Sequence, residues 1–190
     1  MAAAELRQPG DTRRRRLPAG LAKTWLCAYA GIWTLTLVLA AGAAVGTVGV
    51  RASVRHLLGL TLEPDPAPQL GHVLDLAAHN IPIVSWPLLL GVMGGHRSRL
   101  IRGFFDAMVG AWVFANALPV GAALGAYGTF LLPYVPQLPL EWGGLALGAC
   151  GWLAQRREAL SLREALGLFA LIVGVLVCAA VVETVAVPHR

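Results

Sequence analysis

Charge is scarce in this sequence: Asp, Glu, Lys and Arg together make up 13% of its 190 residues, against 57% hydrophobic ones. So little polar surface cannot wrap a water-soluble core, and a mean hydropathy of +0.66 makes lipid the main solvent. No hydrophilic segment is long enough to fold as a separate aqueous catalytic module. Cysteine is scarce too. Cys27, Cys150 and Cys178 all fall inside apolar segments and form neither a disulfide framework nor a CxxC pair, so they read as small polarizable hydrophobes. Cys27 follows Thr24, Trp25 and Leu26, without the small residue that a lipoprotein cleavage site wants before its cysteine.

Catalytic signatures are missing as well. The sequence has no Gly-x-x-x-x-Gly-Lys phosphate loop, no His-Glu-x-x-His pair and no Gly-x-Ser-x-Gly elbow. Of Ser53, Ser85, Ser98 and Ser161, only Ser85 lies well inside an apolar run, and no general base stands beside it in sequence. His72, Asp75 and His79, at i, i+3 and i+7, share one helical face and resemble a divalent-metal site. A helix-end polar pair explains Asp75 and His79 equally well, so no metal is assigned. The expectation is a non-enzymatic protein with no cofactor.

What the sequence has in abundance is long apolar runs. Trp25 to Val50 carries no charge, and at about 1.5 Å per residue it covers a hydrocarbon core of about 30 Å. A basic flank before an apolar run also describes a signal peptide, but this run exceeds the usual h-region. Four more apolar stretches follow, at 73–95, 103–132, 140–154 and 165–187. The second is interrupted by Pro82 and Pro87, which predict a bend, and the prolines 133, 136 and 139 predict a turn before the fourth. The fold class expected is all-α: a polytopic membrane helix bundle of about five transmembrane helices, after a disordered basic tail over 1–24 and with an outer loop over 51–72.

The basic residues set its orientation. A net charge of +5 and a pI near 9.7 are compatible with nucleic-acid binding, but the cations stand in short clusters beside apolar runs, which is the positive-inside pattern. With the N-terminus cytoplasmic and the C-terminus outside, the cytoplasmic face holds Arg7, Arg13, Arg14, Arg15, Arg16, Lys23, Arg97, Arg99, Arg102, Arg156, Arg157 and Arg163. That is twelve of the 15 basic residues, leaving Arg51, Arg55 and Arg190 outside. The expected location is a bacterial cytoplasmic membrane, with membrane lipids as partners and no nucleic acid.

Four Gly-x-x-x-Gly pairs, Gly42 with Gly46, Gly91 with Gly95, Gly121 with Gly125 and Gly144 with Gly148, predict close helix packing. Glu141 and Glu183 are the candidate functional residues, because ionisable groups inside spans are costly and face protein or water. The alternation of spans puts both near the outer surface, at similar depth. Asn80, Asn116 and His79 are the polar neighbours in the candidate intramembrane site. A snorkelling or helix-bonding role for the glutamates is the structural alternative.

Short motifs complete the reading. The ending Ala179, Ala180, Val181, Val182, Glu183 to Pro188 resembles the closing helix of the stage II sporulation protein M family of membrane proteins. Pro136 to Glu141 resembles its Pro-His-Gly-x-x-Glu motif, with Gln137 and Leu138 in place of His-Gly. Asn80 stands where that family has an asparagine pair, with His79 for the first member, and Asn116 with Gly121 resembles its next Asn-Gly stretch, with Ala117 departing from it. The resemblance spans roughly Trp25 to Pro188. It implies a non-enzymatic scaffold that recruits protein partners in a sporulation or cell-envelope process. The rival is a subunit of a small transporter or multi-subunit exporter using Glu141 and Glu183, and assembly into a homo-oligomer stays open.

Overall fold

The computed structural model describes residues 19–46, 52, 53, 56, 70–93, 98–157 and 160–186. Arg13 to Arg16, Arg97, Gly95, most of the 51–72 loop and residues 187–190 lie outside the described residues. Five α-helices carry the fold: α1 (Ala19–Val45), α2 (Leu70–Val92), α3 (Arg99–Tyr127), α4 (Leu138–Arg156) and α5 (Leu162–Ala186). A 3-10 helix, Gly128–Tyr134, joins α3 to α4.

Local chemistry sets the helix ends. At the end of α3, Gly128 takes φ 61°, a left-handed conformation that glycine adopts without strain, and its N–H returns to the Leu124 carbonyl. Pro139 falls in the first turn of α4, where its missing N–H breaks no intrahelical bond. In α5 the Glu164 carboxylate accepts the Ser161 N–H and O–H, both at 2.7 Å, and Ser161 Oγ accepts the Glu164 N–H at 3.4 Å, a capping box. One expectation needs correction here. The 1–24 tail was expected to be disordered, yet α1 already begins at Ala19, because Ala, Leu and Lys are strong helix formers and carry the helix beyond its apolar run. α2 runs on through Pro82 and Pro87, each of which forfeits one backbone hydrogen bond.

Four helices are long and apolar enough to cross a membrane: α1, α2, α3 continued by the 3-10 segment, and α5. Their outward faces remain apolar, with Leu37, Val38, Phe104, Leu166 and Val185 exposed, as suits helices solvated by lipid. The remaining helix, α4, is less apolar and occupies the centre. Every residue from Trp142 to Trp152 is buried. With residues 142–152 buried, α4 has little need of a lipid-compatible surface, and glycine can replace bulk along it.

Glycine sets the spacing around that centre. A Cβ on Gly148 would strike the Val84 carbonyl oxygen of α2, and one on Gly151 would lie 2.8 Å from Leu88 Cδ1. Gly144 faces Leu176 of α5. On the other side of the bundle, α1 and α3 close through Gly121, whose Cβ would lie 2.7 Å from the Thr36 carbonyl oxygen, and through Gly125 against Ala40 and Ala43. Gly42, by contrast, meets open space, so its expected packing role is corrected: no neighbouring helix lies over that side of α1. Gly91 packs on Gln155.

These contacts also give direction. Pairs 84 with 148, 88 with 151 and 91 with 155 advance together, so α2 and α4 are parallel, as are α1 and α3 through pairs 36 with 121 and 40 with 125. α5 runs against α4, since Gly144 meets Leu176 while Gly151 meets Leu168. α1 is also antiparallel to α4: Leu21 meets Cys150, and Tyr29 meets Pro139. The helices therefore alternate along the chain. All the described basic residues, Lys23, Arg99, Arg102, Arg156, Arg157 and Arg163, fall toward one end of the bundle, and Glu141 and Glu183 toward the other.

Candidate functional site

At the acidic end, α4 begins on Gln137, whose carbonyl accepts the Leu140 and Glu141 N–H groups at 2.9 and 3.1 Å. Four residues apart, the Gln137 and Glu141 side chains leave α4 on the same face. Gln137 is only 7% exposed, and among the described residues its Oε1 meets no hydrogen-bond donor. Glu141 is half-buried in the first turn, where the helix dipole favours a negative group.

Glu183 enters from the last turn of α5, also half-buried. The antiparallel packing of α5 on α4 puts the two carboxyls at the same end of the bundle. Thr184 beside it is buried and donates to the Ala180 carbonyl at 2.7 Å. The chemistry of this end is a concentration of acceptors: two carboxyls and an amide oxygen. Such a set favours a proton, a cation or a hydrogen-bond donor supplied from outside it.

The other candidates are dispersed. Asn80 is half-buried on the face of α2 that carries Ala77, Val84 and Leu88, about one turn deeper than Glu141. Asn116 donates from Nδ2 to the Trp112 carbonyl of its own helix at 2.8 Å. His79 is exposed on the opposite side of α2 from Asn80's packed face, along with His72 and Asp75. Among the described residues, no group of three His, Cys, Asp or Glu is arranged to hold a metal.

The basic end holds a cluster that sequence reasoning missed. Asp106 of α3 accepts the Trp152 indole N–H at 2.9 Å through Oδ1, and its Oδ2 lies 3.2 Å from Arg156. Phe105 meets Trp152 edge-on, with ring centroids 5.9 Å apart, and Trp86 meets Trp112 in the same way at 5.6 Å. Between α3 and α4 the contact is aromatic, through Phe105 and Trp152, whereas α2 and α4 close through glycine. Asp106 and Trp152 are 46 residues apart, and no local pattern signals the pairing. Trp152 is 1% exposed, so Asp106→Ala leaves a buried N–H unpaired. Its expected effect is a loss of about 1–3 kcal/mol, visible as a lower unfolding midpoint in detergent, with Asp106→Asn retaining part of the stability.

A third polar junction sits mid-bundle. Thr36, fully buried, accepts the Trp142 indole N–H at 3.1 Å and itself donates to the Ile32 carbonyl. Its own carbonyl lies under Gly121, so α1, α3 and α4 meet at this residue. Compared with family models, curated proteins and solved structures, the chain matches none.

Proposed function

We propose that the chain is a five-span protein of a bacterial cytoplasmic membrane, with its basic end cytoplasmic, acting as a non-enzymatic scaffold. α4 is the fifth span. Its 19 residues reach about 28 Å, close to the hydrocarbon thickness, and its neighbours bury most of its length. Orientation follows from the gathering of the described Lys and Arg residues at one end, by the positive-inside rule.

The observation that carries the scaffold reading is the unbroken burial of Trp142 to Trp152. The bundle axis is filled with protein, and Gln137, Glu141 and Glu183 stand at its acidic end. Glu141, Glu183 and Gln137 there suit the docking of a partner that brings donors or positive charge. Gln137 occupies the place of the histidine in the stage II sporulation protein M motif, and that resemblance implies a partner in peptidoglycan remodelling or another cell-envelope process. A transport subunit is the second reading, favoured by the unmet Gln137 oxygen at the end of the bundle that also carries Glu141 and Glu183.

Affinity purification from native membranes tests both. The scaffold reading expects a cell-envelope protein to copurify with wild type and to be lost from the Glu141→Gln, Glu183→Gln double variant. Reconstituted liposomes should show no ion flux. An ATPase in place of the envelope protein, or a flux abolished by Glu141→Gln, would favour transport.

A further inference from the structure

α1 and α5 each pack on α4 and leave a groove of about 790 Å³ between them. Its floor includes Leu140, Gly143 and Leu147, and its walls carry Trp25 and Tyr29 from α1 and Leu168 and Leu171 from α5. The indole of Trp25 donates to the Gly143 carbonyl at 3.1 Å and stacks on Tyr29, so its own polar atom is satisfied and its ring completes an apolar wall. Gly143 and Gly167 both line the groove, and a Cβ on either would meet nothing within 4 Å. From Glu164 to Val175 the α5 wall runs about 16 Å, the depth of one leaflet.

The basic end of this groove is marked by charge. Arg157 follows α4, whose Cys150 thiol donates to the Leu21 carbonyl in the α1 wall at 3.6 Å. Arg163 lies in the first turn of α5. Glu164 is the acidic lining residue, and its carboxylate is engaged by Ser161. Arg156 is drawn away to Asp106. The groove, an apolar slot of acyl length, thus runs toward the end of the bundle where Arg157 closes α4 and Arg163 lies in the first turn of α5.

We propose that it binds an anionic phospholipid, with one acyl chain between α1 and α5 on Gly143 and Leu147 and its phosphate at Arg157 and Arg163. This rests on the membrane-spanning reading. Two consequences separate it from a bulk annular lipid: the site discriminates headgroup charge, and filling the slot empties it.

The test is native mass spectrometry of the full chain released from nanodiscs of equimolar phosphatidylglycerol and phosphatidylcholine. Wild type should retain phosphatidylglycerol in preference by about tenfold. Gly143→Leu and Gly167→Leu, whose side chains enter open space, should lose the retained lipid. Arg157→Gln should keep a lipid and lose the preference. Equal retention of the two lipids by wild type, or undiminished retention in both leucine variants, would overturn the proposal. Release of wild type from membranes by alkaline carbonate would instead overturn the spanning reading itself, whereas a chain that resists carbonate and holds no lipid sinks only the lipid site.

Discussion

Gly148→Val should abolish the folded bundle. The substituted Cβ would collide with the Val84 carbonyl oxygen, a backbone atom in the middle of α2 that no rotamer change can move, and the Trp112 ring lies 3.6 Å away on another side. Relief therefore requires α2 to lift off α4. That movement breaks the contact of Leu88 with Gly151 and of Gly91 with Gln155 along the same seam. In lipid no hydrophobic force holds two helices together at longer range, so the lost dispersion contacts are not replaced. The expected destabilisation is about 3 kcal/mol or more, read as loss of the monodisperse species in detergent. Gly174→Val, where a Cβ meets nothing within 4 Å, should change stability by less than about 0.5 kcal/mol.

Gly125→Val should separate the other pair. Its Cβ would run into the Ala40 carbonyl oxygen and lie 2.6 Å from the Ala43 Cβ, with Gly121 in equal contact one turn earlier. Displacing α1 from α3 also displaces Thr36, leaving the buried Trp142 N–H without its acceptor. Overpacking and an unpaired donor both contribute, for a loss of about 2–4 kcal/mol. Gly42→Val, on the open side of α1, should have little effect. A chemical unfolding series of Gly125→Val and Gly42→Val checks the contrast, and equal midpoints would contradict the α1 and α3 seam.

The all-helical architecture was legible because a membrane-crossing helix is written locally, as some twenty apolar residues between polar ends. α4 is different. Its composition alone does not mark it as a span, and only its place between Pro139 and Arg156 suggests one. The physical reason is its burial, since a helix surrounded by protein is free of the composition that lipid imposes. The glycine pairs show the same division. Sequence spacing identifies Gly121 with Gly125, and Gly144 with Gly148, but it cannot tell which side of α1 has a neighbour, and Gly42 faces none.

The candidate site divides likewise. Helix alternation alone puts Glu141 and Glu183 at one depth, because Glu141 opens one helix and Glu183 closes the next. Gln137 joins them by burial, which a residue just outside an apolar run does not announce. The link of Asp106 to Trp152 and Arg156 depends on the lateral order of helices, information that resides in tertiary packing. His79 was expected beside Asn80 in the site, yet neighbours in sequence point to different sides of a helix, and His79 is exposed.

Whether α4 crosses the membrane decides the topology, and one labelling experiment reads it. In a chain with Cys27, Cys150 and Cys178 replaced, Thr129→Cys in the 3-10 segment that precedes α4 and Leu162→Cys at the start of α5 place single thiols toward the two ends of α4, both at exposed positions. With an impermeant maleimide on intact cells, Thr129→Cys should label and Leu162→Cys should label only after permeabilisation. Labelling of both from the same side would show that α4 does not span, and the five-helix topology would fall.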